Sequence, residues 1–168
     1  LYTEAYLDLL TEDPAGFLSR LNAFLAQLQA EEPHLALLEP FTPDDLRRLA
    51  FFMATGSGKT LIMHANIWQL LYYLNHGRHP EALVRRADGR CAFDNILLIT
   101  PWPGLSAQHI EELRLSGIQA HHASNPSGND TLLGPTVTVV EIHKLAETAS
   151  GEGVSIPLES LGDANLVL

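Results

Sequence analysis

The sequence has 168 residues, 46% of them hydrophobic and 18% charged, and carries a formal net charge of -10. That length suits one domain with a sizeable core, and the acidic balance excludes a protein that grips nucleic acid by bulk electrostatics alone. No apolar run approaches the ~20 residues that cross a bilayer, and the single cysteine, Cys91, excludes an internal disulfide framework and fits a reducing, cytoplasmic setting.

In chain order, residues 1–45 read as a small helical N-terminal segment. Thr3–Leu10 suits a short helix. Asp13-Pro14 opens a second one, with an acidic N-cap and proline at the first helical position. Phe17, Leu18, Leu21, Phe24, Leu25 and Leu28 then recur at helical spacing as one apolar stripe, which Glu32-Pro33 ends. Pro40 and Pro43 mark a connection, and Thr42 or Pro43 opens a short helix through Arg48.

From residue 46 to 168 the texture becomes that of a second, α/β domain. Leu49–Ala54 is a short apolar run of the kind expected of a strand buried on both faces. A loop and a helix over Lys59–Leu74 follow. Asn75–Asp94 is a polar excursion carrying Arg78, Arg85, Arg86 and Arg90, read as a solvated surface loop. Asn95–Thr100 is a second buried strand, Leu105–Leu115 a helix closed by Ser116-Gly117, and Ile118–Ala123 a short third strand. Ser124–Gly134 reads as a polar loop, Val137–Val140 as a fourth strand, Glu141–Ala149 as a short helix ended by Ser150-Gly151, and Asn165–Leu168 as the start of another strand. Strand and helix alternating in this way imply a parallel sheet with helices on both faces, whose ligands bind at the carboxyl ends of the strands.

The strongest chemical signal is Thr55-Gly56-Ser57-Gly58-Lys59-Thr60, between the first apolar run and its helix. A triphosphate is a dense negative charge that must be met at close range. Gly56 and Gly58 permit backbone angles that aim amides inward, and the start of the Lys59 helix presents unpaired N–H groups. Lys59 is placed to reach the β- and γ-phosphates, and the Thr60 hydroxyl to ligate magnesium. These residues are the expected site for a nucleoside triphosphate and Mg2+, and the choice of ATP follows only from the family resemblance below. The generic G-x-x-x-x-G-K-[ST] pattern puts glycine where this chain has Met53.

Taken with Asn95-Ile96-Leu97-Leu98-Ile99-Thr100-Pro101 and Gly104-Leu105-Ser106-Ala107-Gln108-His109, the segment Met53–Thr60 resembles the first motor domain of superfamily-two helicases. The nearest flavour is the type III restriction enzyme helicase subunit and its DEAD/DEAH-box-like relatives. The resemblance covers residues 49–168 and leaves residues 1–45 unmatched. It implies a RecA-like P-loop NTPase fold, with motif I at the phosphate loop. It also implies motif Ia at Thr100 and Pro101, touching the backbone of a bound strand. Val139–Leu145 then falls at the next strand-to-helix junction, and Asn165–Leu168 leads into the Asp-Glu-x-His box. On this reading that box and the second RecA-like domain lie past residue 168, and the domain stops before its Walker B strand is complete. The implied activity is ATP-driven translocation or unwinding of nucleic acid, DNA favoured over RNA. The implied partners include the other subunits of a restriction or antiviral defence complex, and no membrane. Many such motors read adenine through a Gln upstream of motif I, and between Leu35 and Gly56 there is none.

The second site makes physical sense apart from the family. Thr100-Pro101 ends a buried strand and Gly104 opens a helix, so a hydroxyl, free amides and a helix N-terminus are available to hold a phosphodiester oxygen. Trp102 can stack on a base or pack on its proline neighbours, and packing is the commoner outcome. Among eight histidines no spacing suggests structural zinc, and on a strand His121 and His122 face opposite sides. His64 reads as a core-edge residue. Glu111-Glu112 and Asp44-Asp45 read as solvated acids, Ser106 with His109 lacks a nucleophile elbow, and Glu141, at the ligand edge after a strand, is the acid of most interest. The competing readings are a P-loop protein of another class, such as a small-molecule kinase or signalling NTPase, and a scaffold whose N-terminal helices dock a partner.

Overall fold

Residues 2–84, 86, 88–123, 136–146, 156–157 and 165–168 are described by a computed structural model, in which the chain separates into two units. The first comprises residues 1–59 and 65–91, the second residues 60–64 and 92–168. The expected loop over 124–134, the end of the expected 141–149 helix with Ser150-Gly151, and Arg85 lie outside the described residues.

In the first unit, helix α1 spans Tyr2–Glu12 and α2 spans Pro14–Glu31. The signal at Asp13 works as read: its carboxylate accepts from the Gly16 amide at 2.9 Å, and Pro14 follows at a position whose missing N–H costs nothing. Leu7 and Leu10 of α1 and Phe17 and Leu25 of α2 are buried, with the Tyr6 and Phe17 rings edge-to-face at 5.1 Å. Phe24, read as part of the stripe, is 57% exposed, so the buried face is narrower than the sequence pattern. Tyr6 Oη donates to the Leu46 carbonyl at 2.8 Å, tying α1 to the 3-10 turn Asp45–Arg47 that stands where the short helix was expected.

Leu49–Ala54 forms no strand. Leu49, Phe51 and Phe52 are exposed, Phe52 at 96%. An apolar run meets the local criteria for a buried strand, but a strand exists only through a ladder to a neighbour, and no described residue supplies one here. Helix α3 follows over Lys59–His76, two residues longer than read.

The second unit is a four-stranded sheet of order β2-β3-β1-β6, with β1 at Asn95–Thr100, β2 at Gln119–His122, β3 at Thr136–Glu141 and β6 at Asn165–Val167. Every pairing is parallel, and the register sets Thr100 beside Glu141 and Ile96 between Val137 and Leu166. Ile96, Leu97, Leu98, Val137, Val139 and Val140 are buried, as expected of parallel strands covered by helices. Helix α4, Pro103–Leu115, packs chiefly on β2 and β3 and begins two residues earlier than read, because Pro103 itself takes the first helical position. It ends in a Schellman motif: Ile118 N donates to Leu113 O at 2.9 Å and Gly117 N to Arg114 O at 3.0 Å, with Gly117 at φ 74°.

The expected helix from Glu141 is instead one 3-10 turn, Ile142–Lys144, after which Leu145–Ala146 (β4) pairs in parallel with Ile156–Pro157 (β5). Lys144 Nζ turns back to the Glu141 carboxylate at 2.7 Å and Leu145 is already extended, so the helix stops after a single turn.

Candidate functional site

The phosphate loop has the backbone its glycines allow. Gly56 and Gly58 sit at φ 74° and 82°, in the left-handed region where a side chain would strain the chain, although open space surrounds both positions. Gly58 is the N-cap of α3 and offers no side-chain cap, so the first-turn amides, Lys59 and Thr60 among them, lack an intrahelical partner. The turn is closed by Ser57, whose amide and hydroxyl both donate to the Ala54 carbonyl, at 3.3 and 2.6 Å. Lys59 Nζ folds back on the Ala54 and Met53 carbonyls, at 2.7 and 3.1 Å. An ammonium resting on weak neutral acceptors beside uncapped amides fits an incoming phosphate, which offers a charged acceptor instead. Thr55, Gly56, Ser57, Gly58 and Lys59 are exposed, and Thr60 is half-buried as the second residue of α3.

The turn after β1 is built differently from its reading. Thr100 is 1% exposed, and its hydroxyl faces inward to Ser106 Oγ at 2.7 Å rather than to solvent. Pro101, Trp102, Pro103 and Gly104 are all exposed, and no side chain caps α4. Trp102 is 59% exposed, so much of its indole is open to solvent. What this turn offers a ligand is therefore the Gly104 end of an uncapped helix and an open aromatic face. Thr100 anchors the turn from beneath.

Under the turn lies a polar junction that the sequence signalled only at Glu141. This carboxylate is fully buried, 0% exposed, at the carboxyl end of β3. Ser106 Oγ donates to Oε1 at 2.8 Å, His122 Nε2 stands 2.6 Å from the same oxygen, and Lys144 Nζ lies 2.7 Å from Oε2. Burial pushes the carboxyl up, but Lys144, His122 and Ser106 outweigh it and hold the group down at about 2, against an ordinary 4.5. Lys144, three residues on, was within reach of sequence reasoning as an i,i+3 pair. His122 and Ser106 come from other elements and were not.

This gives a signed expectation for acid. A carboxyl lowered by folding contributes stability that is complete above its unfolded value, near 4.5, and is lost as pH falls from there through about 2. Thermal unfolding followed by circular dichroism should show the melting temperature falling across that window, with a shallower slope in Glu141→Gln. Equal slopes in the two proteins would show that Glu141 titrates as an ordinary carboxylate.

The other residues singled out have structural partners. His64 is 4% exposed, deeper than a core edge, with Nδ1 2.7 Å from Ser116 Oγ, and burial lowers its pKa. His121 and His122 face opposite sides, toward Thr138 and Glu141. Glu112 accepts from Gln108, Asp44 pairs with Arg47, and Asp45 accepts from Thr42. Ser106 serves the buried junction. No helix among the described residues is long and apolar enough to cross a membrane.

The model of the family described as type III restriction enzyme, res subunit, matches residues 19–153. That span takes in the phosphate loop, the turn after β1 and the Glu141 junction, and it reaches back into α2, well before the point where the motifs alone carried the resemblance. No curated protein and no solved structure matches the chain.

Proposed function

Because the chain belongs to the type III restriction enzyme res-subunit family, a helicase-like family of RecA-like P-loop domains, we propose that it is the first motor domain of an ATP-driven translocase or helicase acting on DNA. The observation that carries this reading is the phosphate loop: two left-handed glycines leading into an uncapped helix whose first residue is a lysine. The inward amides and Lys59 bind the β- and γ-phosphates and stabilise the charge that builds on them as the terminal bond breaks. Magnesium, when bound, supplies further neutralisation of that charge, and Thr60 is the residue of this chain that would hold it. The Pro101–Gly104 turn holds the DNA backbone, positioning a strand without reading its sequence. The net charge of -10 fits a domain that shares its strand with a second motor domain rather than gripping it alone. The family description supports a role in restriction, with further subunits as partners, and we extend the proposal to phage defence.

ATP turnover by the complete protein, measured with and without single-stranded DNA, tests the reading. Turnover should rise on the order of tenfold or more with DNA and fall back as salt is raised, since phosphate contacts release counterions. Turnover indifferent to DNA and RNA alike would point to a P-loop kinase or signalling NTPase instead.

A further inference from the structure

Glu141 belongs neither to the phosphate loop nor to the exposed turn, yet it is the most completely buried ionised group described in the second unit. A buried charge is costly unless partnered, and here Ser106 of α4 and His122 at the end of β2 meet Oε1 while Lys144, after β3, forms an ion pair with Oε2. The direction of the hydrogen bonds follows from counting protons. Ser106 has one hydroxyl proton, and the carboxylate at 2.8 Å is a far better acceptor than the Trp102 carbonyl at 3.4 Å. Ser106 therefore donates to Glu141, and Thr100 Oγ1 donates to Ser106 at 2.7 Å. The chain Thr100 to Ser106 to Glu141 holds both ends of the exposed Pro101–Gly104 segment, one on β1 and one in the first turns of α4.

We propose that Glu141 is a positioning residue for the strand-contact turn, its buried carboxylate fixing Pro101–Gly104 through Ser106 and Thr100 so that the helix N-terminus meets the DNA backbone. The inference rests on the motor reading above and adds to it the device that holds the contact in place. His122 and Lys144 keep the carboxylate ionised and in position.

The test uses the complete protein, with ATP turnover titrated by a mixed-sequence single-stranded DNA oligonucleotide. Ser106→Ala, Glu141→Gln and the double variant are compared with the parent, each first checked for a native melting curve. Ser106→Ala leaves Glu141 with His122 and Lys144, so it decides the matter if Glu141→Gln fails to fold. Each single variant should raise the DNA concentration for half-maximal stimulation about tenfold, with kcat at saturating DNA within about twofold of the parent. The double variant should be no worse than the weaker-binding single, because both break one chain of bonds. Half-maximal concentrations within about twofold of the parent, or multiplying effects in the double variant, overturn the inference and leave the motor reading standing. A parent protein that DNA does not stimulate overturns the motor reading and this inference with it.

Discussion

Lys59→Ala should reduce ATP hydrolysis by the complete protein roughly a hundredfold to a thousandfold while leaving the fold intact. A preorganised cation or donor aimed at the charge that develops in the transition state contributes on that order. Lys59 is exposed and its ammonium touches only the Met53 and Ala54 carbonyls, which water can satisfy once it is gone. The cost to stability should therefore stay within the ~0.5 kcal/mol usual at surface positions. Steady-state phosphate release and a urea melt on the same preparation check both halves. Hydrolysis close to the parent's rate would remove the phosphate-loop assignment; a collapsed melt would show that the lysine holds the loop together rather than serving the nucleotide.

The largest loss of stability is expected at Leu113. Its side chain is 0% exposed on α4, and its carbonyl accepts the Ile118 amide that closes the helix. Leu113→Ala deletes buried methyl groups and leaves a cavity that close-packed neighbours fill only in part, at a cost of about 2–5 kcal/mol. Against the ~5–15 kcal/mol that holds a typical domain together, that is a severe loss. Leu115, two residues on and 79% exposed, is the control, and Leu115→Ala should change the urea midpoint little. Similar midpoints for the two variants would mean that α4 is not packed on the sheet as described.

Where a local rule decides the outcome, the sequence was sufficient. Asp13-Pro14 started α2, Gly117 ended α4, and the apolar runs read at Asn95–Thr100 and Val137–Val140 became the central strands of a parallel sheet. The geometry of the Thr55–Thr60 loop was legible for the same reason: its backbone angles, its lysine and its helix start are all encoded within six consecutive residues. The same local reasoning misjudged Leu49–Ala54, since an apolar run carries no record of whether a neighbouring strand will pair with it.

Tertiary structure alone decided what surrounds the turn after β1. From sequence, Thr100 offered a hydroxyl to a ligand and Trp102 a ring to stack on a base or pack on its proline neighbours; in the fold the hydroxyl is buried against Ser106 and the ring is 59% exposed. Glu141 was visible as an acid after a strand, but its three partners come from Ser106, His122 and Lys144, on separate elements. Parallel pairing brings the carboxyl ends of β1, β2 and β3 to one edge of the sheet, and that long-range register places these groups within bonding distance. Dihedral preferences, caps and side-chain period act over a few residues, so a sequence can state them directly. The environment of a buried charge depends on which distant segments meet, and only the folded chain determines that.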